Sequence, residues 1–108
     1  MNENELVIAV LEKAVETVGE TGRKKLFGAF GVTRENKVFA MVTKYGEMVL
    51  KCDVDEFHSQ MADLGAEPWS PHKSRGAMGT WLVLPESVWT VENDIIDFLS
   101  QAYSGLKL

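Results

Sequence analysis

Cysteine is almost missing from this chain. Cys52 is the only one in 108 residues, so no intramolecular disulfide can form and the fold must rest on its packed core. Long apolar runs are missing as well: no stretch approaches the roughly 20 consecutive apolar residues that cross a bilayer. The opening Met1-Asn2-Glu3-Asn4-Glu5 is acidic, the reverse of the basic start of a secretory signal. Positive charge is in deficit, with 11 Lys and Arg against 16 Asp and Glu, a formal charge of −5. That balance disfavours direct nucleic-acid binding, because neutralising phosphates needs surplus cations. Repeats, low-complexity tracts and Pro/Ser-rich linkers are lacking too. Together these absences predict a cytoplasmic protein with no membrane association.

What is present is globular. Hydrophobic residues make up 45% and charged residues 25% of the sequence, enough to bury a core in one domain spanning 1–108. Leu6, Val7, Val10, Leu11, Ala14 and Val18 recur at helical spacing, which predicts a helix over 5–20, stopped by Gly19 and Gly22. Ile8 and Val15 widen its apolar band. Three runs rich in β-branched and aromatic residues follow: 24–33, 37–44 and 47–52. Asn36 and Gly46 suit left-handed turn positions between them, so the three form an antiparallel meander. Asp53 and Glu56 resemble a capping box for a helix with Val54, Phe57, Met61 and Leu64 on its buried stripe, ended by Gly65. Residues 66–79, with Pro68, Pro71, Gly76 and Gly79, read as irregular. Residues 80–84 form a further strand, stopped by Pro85. Thr90 then caps a closing helix to about Ser104, with Val91, Ile95, Phe98, Leu99 and Ala102 inward. The predicted class is α+β: an antiparallel β-meander sheet flanked by N-terminal, central and C-terminal helices.

One feature of the sheet needs a cover. Strict alternation puts Val38, Ala40 and Val42 on one face and Phe39 and Met41 on the other. In 24–33 it sets Leu26 and Phe30 against Phe27, unless Gly28 marks a bulge. Both faces are therefore apolar, and burying each large side chain is worth roughly 1.5–3 kcal/mol. The protein's own helices, a second subunit or a ligand could cover the second face. A homodimer or a protein partner is the expectation this raises.

Arg23 to Val32, "RKKLFGAFGV", resembles the Arg-x-Met-Phe-Gly-Gly-Phe/Tyr-Gly signature that opens the N-terminal domain of the TfoX/Sxy competence regulators. The similarity continues through "KVFAMV" (37–42), "MVLKCD" (48–53), "GAEPW" (65–69) and "GAMGTWLVLPESVWTVENDIIDFLSQAYSGL" (76–106). It covers roughly residues 5–106, and its specificity lies in the order and spacing of motifs that are individually weak. Leu26 stands where the signature has Met, and Ala29 where it has its second Gly. The resemblance implies a small α+β fold related in shape to the double-wing proteins of the YjbR type, often self-associating. It further implies a non-enzymatic interaction domain, since the named members act as co-regulators of DNA-uptake genes. Full regulators carry a second, helical domain after this one, whereas this sequence ends at Leu108, so the expectation is a stand-alone domain that shares the fold.

The candidate binding residues are cations and aromatics. Arg23, Lys24 and Lys25 precede the first strand, and His72, Lys73 and Arg75 lie in the irregular segment. With Lys51 they could form one anion-binding surface; otherwise they are solvated charges that guard a sheet edge. In the binding alternative an anionic metabolite, or an enzyme's substrate, occupies a cleft between the sheet and loop 66–79. Phe27, Phe39 and Trp81 would line it, with Lys51, Lys73 or Arg75 at the mouth. Trp69, Trp81 and Trp89 are core pieces or interface anchors, with core the favoured reading for all three; Trp69, between Pro68 and Ser70, is the one best placed to be partly exposed.

Other chemistries find less support. Arg75-Gly-Ala-Met-Gly79 lacks the Gly-Lys-Ser/Thr of a phosphate loop, so no cofactor is predicted. Cys52, His58 and His72 have no zinc spacing. A calcium loop opening at Asp53 fails at His58 and Leu64, where glycine and glutamate belong. Ser70 and Ser74 flank His72 without an orienting acid. No metal ligand or catalytic residue is assigned.

Overall fold

Backbone reversals divide the chain more finely than its apolar runs suggest. The computed structural model describes residues 3–26, 28–70 and 78–108. Among these, α1 (Glu3–Val15) is followed by strands β1 (Gly22–Leu26), β2 (Ala29–Arg34), β3 (Lys37–Val42) and β4 (Met48–Lys51). Helix α2 (Asp55–Asp63), strands β5 (Glu67–Trp69) and β6 (Met78–Val83), and helices α3 (Glu86–Trp89) and α4 (Glu92–Ser104) complete the order. The six strands form one antiparallel sheet in the order β1-β2-β3-β4-β6-β5, and the α+β arrangement is as predicted.

The run 24–33 is two strands rather than one. Leu26 pairs with Ala29, so the chain reverses within two residues. Gly28, at φ 74°, supplies the left-handed backbone that such a tight reversal needs. Glu35 (φ 49°) and Asn36 (φ 68°) make the next two-residue turn, where Arg34 pairs with Lys37. Two consecutive positive φ values match the right-handed twist of the flanking strands. Gly46 takes its expected left-handed place before β4.

Strict alternation in β3 is also broken. Val32 pairs with Ala40 but Thr33 pairs with Val38, which leaves Phe39 as an extra, bulged residue. Phe39 therefore turns to the same side as Ala40 and Val42, into the main core, while Val38 joins Met41 on the opposite face. Likewise Leu26 and Phe30 lie on opposite faces instead of sharing one.

All four helices bury their side chains against one face. Val7, Leu11, Ala14 and Val15 of α1, Phe57 and Met61 of α2, and Ile95, Phe98, Leu99 and Ala102 of α4 join Val32, Phe39, Leu50 and Leu82 in the main core. The stripe of α1 follows 7, 11, 14 and 15, so Leu6, one step off it, is 55% exposed. Val54, Leu64 and Val91, expected inside, are exposed for the same reason: each precedes or follows its helix rather than lying on the buried stripe.

Two predicted caps are corrected. Val54 occupies the N-cap of α2 with no side-chain cap bond; Asp53 instead accepts a hydrogen bond from the Lys107 backbone N–H at 2.9 Å. Thr90 closes the short α3, its hydroxyl donating to the Glu86 carbonyl at 2.9 Å, and does not open α4. Residues 67–69 form the edge strand β5 where irregular chain was expected. No helix among the described residues is long and apolar enough to cross a membrane.

Candidate functional site

The second face of the sheet receives no buried helix side chain among the described residues. Its own small cluster comprises Ala29, Met41, Val49, Trp69 and Trp81, with Leu26, Val38 and Val83 half-buried around it. Phe39 and Met41 are both 0% exposed within this one chain. A second subunit is therefore not required to cover them, and that argument for a homodimer lapses.

At one end of this face lies a cleft of about 450 Å³ to which four lysines contribute: Lys24 of β1, Lys37 at the start of β3, Lys51 at the end of β4, and Lys107 beyond α4. The floor includes Leu26, Val38 and Trp81. Asp53 is the one carboxylate among its described lining residues. On a chain of net charge −5, this is a local reversal of sign.

Strand geometry accounts for two of the four, Lys24 and Lys51. Side chains alternate along a strand, so Lys24 lies on the side of Leu26, and Lys51 on the side of Val49. Lys51 is the direct cross-strand partner of Trp81. Its Nζ stands 5.1 Å from the Trp81 ring centroid, a cation–π contact. The same ammonium donates to the Thr80 hydroxyl at 2.9 Å and sits 3.6 Å from Asp53 Oδ1. Asp53 is nearly buried, its side chain 6% exposed against 25% for Lys51. Its second oxygen holds Lys107, while Lys37 Nζ donates to the Lys107 carbonyl at 3.4 Å. Asp53 thus clasps the C-terminal residues against one wall of the cleft.

The sequence-predicted residues divide accordingly. Lys51 and Trp81 come together, but in a cleft bounded among the described residues by Lys24, Lys37 and Lys107 rather than by loop 66–79. Arg23 and Lys25 have the opposite parity to Lys24 and lie toward the helices: Arg23 Nε donates to Glu12 of α1 at 2.7 Å, and its Nη1 to Thr21 Oγ1 at 2.9 Å. Phe39 belongs to the main core, with its ring edge-on to Tyr103 at 5.4 Å. Trp69 takes the favoured core reading: it is 6% exposed and packs against Trp81 with ring centroids 6.3 Å apart. Phe27, His72, Lys73 and Arg75 lie outside the described residues. Lys37, Lys107 and the clasping role of Asp53 escaped the sequence reading. Parity could have separated Lys24 from its neighbours, but nothing local marks Lys107.

The nucleophile in the neighbourhood is disabled. Cys52 follows Lys51 directly and is buried; its thiol is pushed up to about 12, chiefly by desolvation, with the Asp53 charge adding and Lys51 opposing. His58 is held by the Gly79 carbonyl at 2.7 Å, so its Nε2 carries the donated proton.

An antiparallel six-stranded sheet with four helices on one face and a smaller buried cluster beside a basic cleft on the other defines the chain as an α+β domain. The family model of the TfoX N-terminal domain matches residues 13–106, and the chain belongs to that family. No curated protein matches the chain.

Proposed function

We propose that this chain is a non-catalytic interaction domain of the competence-regulator type, and that it acts by receiving an anionic group of its partner or ligand in the basic cleft. The observation that carries this reading is the gathering of Lys24, Lys37, Lys51 and Lys107 around one depression of an otherwise acidic molecule. The four lysines come from four separate segments and border a lining that includes Leu26, Val38 and Trp81. A thiol pushed up to about 12 is protonated at neutral pH and supplies no nucleophile, which favours binding over covalent chemistry. Membership of the TfoX N-terminal family supports a co-regulatory role, in which docking at the cleft couples the domain to its partner.

Heparin affinity chromatography tests the reading with a generic polyanion. Wild-type protein should be retained at low ionic strength despite its overall negative charge, and Lys24→Glu/Lys37→Glu should pass through. The control is Lys13→Glu/Lys44→Glu, which changes net charge equally at sites away from the cleft. Equal elution of the two double variants would overturn the assignment, because retention would then follow total charge alone.

A further inference from the structure

Resting on the cleft as the recognition site, the geometry points to a small phosphate monoester with an apolar or planar organic part as its ligand. Three properties of the cleft argue for this chemistry. First, its cations are all lysines among the described lining residues. A carboxylate is matched best by the planar fork of arginine, whereas several ammonium groups approaching from different strands suit a tetrahedral oxyanion carrying close to two charges. Second, the floor below the lysines is apolar. Leu26 and Val38 both lie close over Gly31, where an added Cβ would meet the Lys24 carbonyl oxygen at 2.7 Å, Leu26 at 3.0 Å and Val38 at 3.3 Å. The glycine thereby lets these two side chains close beneath a ligand, and they offer nothing to a bare inorganic ion. Third, a volume of about 450 Å³ falls in the range of small-molecule sites.

Within the cleft the lysines are not equivalent. Lys51 is already engaged by Thr80, Asp53 and the Trp81 ring, so it is held in place as a fixed positive charge. Lys24 lines the same cleft from β1, where it is exposed, and supplies an adjustable positive charge. Asp53, the one carboxylate among the described lining residues, is engaged by the Lys51 ammonium and the Lys107 backbone N–H, which limits its repulsion of an incoming anion.

Titration of the protein with phenyl phosphate, followed by amide chemical shifts in NMR, provides the test, with inorganic phosphate and benzoate as comparison probes. Phenyl phosphate should perturb amides of 24–26, 37–38, 51–53 and 80–81, and bind roughly tenfold more tightly than either comparison probe. Lys24→Ser should weaken it by roughly another tenfold while leaving the remaining amide spectrum and the melting temperature unchanged. If phenyl phosphate and benzoate bind alike, or if the shifts map elsewhere, the phosphate assignment falls. Retention on heparin that still depends on Lys24 and Lys37 would in that case leave the cleft as the recognition site. Loss of that dependence as well would remove the site itself.

Discussion

At the scale of single residues, Cys52 shows how burial sets chemistry. The neutral thiol is the form the fold accepts, and its value near 12 lies above the ordinary 9.0. The sign follows from that elevation. The unfolded chain loses the proton first as pH rises, so the stability contributed by Cys52 is whole below pH 9 and declines between about 9 and 12. Two outcomes are expected. Native protein at pH 8 should not react with a thiol-specific disulfide reagent over minutes, and one equivalent should react after denaturation. Between pH 8.5 and 10.5, the melting temperature of Cys52→Ala should fall less steeply than that of the wild type. The sequence foretold a small buried side chain here, because a lone thiol at a strand end packs as a hydrophobe. It could not foretell the opposing influence of two neighbours, Lys51 and Asp53, whose placement depends on β6 and the C-terminal residues.

Elements were legible where periodicity was uninterrupted, and misread where one residue resets it. The buried stripe of α4 at Ile95, Phe98, Leu99 and Ala102 could be read directly from its spacing. The division of 24–33 into β1 and β2 could not, because Phe27-Gly28 sits between two apolar segments whose alternation looks continuous. The bulge at Phe39 misled in the same way: one extra residue exchanges the faces of everything before it. Asp53 carried a good capping signal, yet a tertiary contact outcompeted the local one. That substitution of roles has a measurable consequence. Asp53→Ala should accelerate hydrogen exchange at the Lys107 amide by more than tenfold, on the order of one lost charge-assisted hydrogen bond. Exchange within α2 should stay unchanged, since its N-terminus does not use this carboxylate. Faster exchange throughout α2 would instead restore Asp53 as its cap.

For the whole molecule, the two faces of the sheet divide the labour. One face is closed by four helices and supplies the bulk of the core; the other keeps a smaller apolar cluster and the charged cleft. Phe39 belongs wholly to the first. It is fully buried, and its edge-on contact with Tyr103 ties the sheet to α4. Phe39→Ala should cost about 3–5 kcal/mol of unfolding free energy, seen as a lower midpoint in urea. Had Phe39 lined a binding surface, truncating it would cost far less. Half of the candidate site could be read in advance because Lys51 and Trp81 are chemically conspicuous. The other half depends on residues that meet only through topology: β1 folding back on β2, and the chain after α4 returning to Asp53.

The position of Lys51 over Trp81 gives the molecule a built-in optical gauge. Indole emission responds to a nearby charge, and the ammonium stands 5.1 Å from this ring. Any occupant that draws Lys51 toward itself changes the field on the chromophore and shifts its colour or brightness. Subtracting the spectrum of Trp81→Phe removes the contributions of Trp69 and Trp89. The filling of the cleft can then be followed in plain buffer, without a label or a known partner.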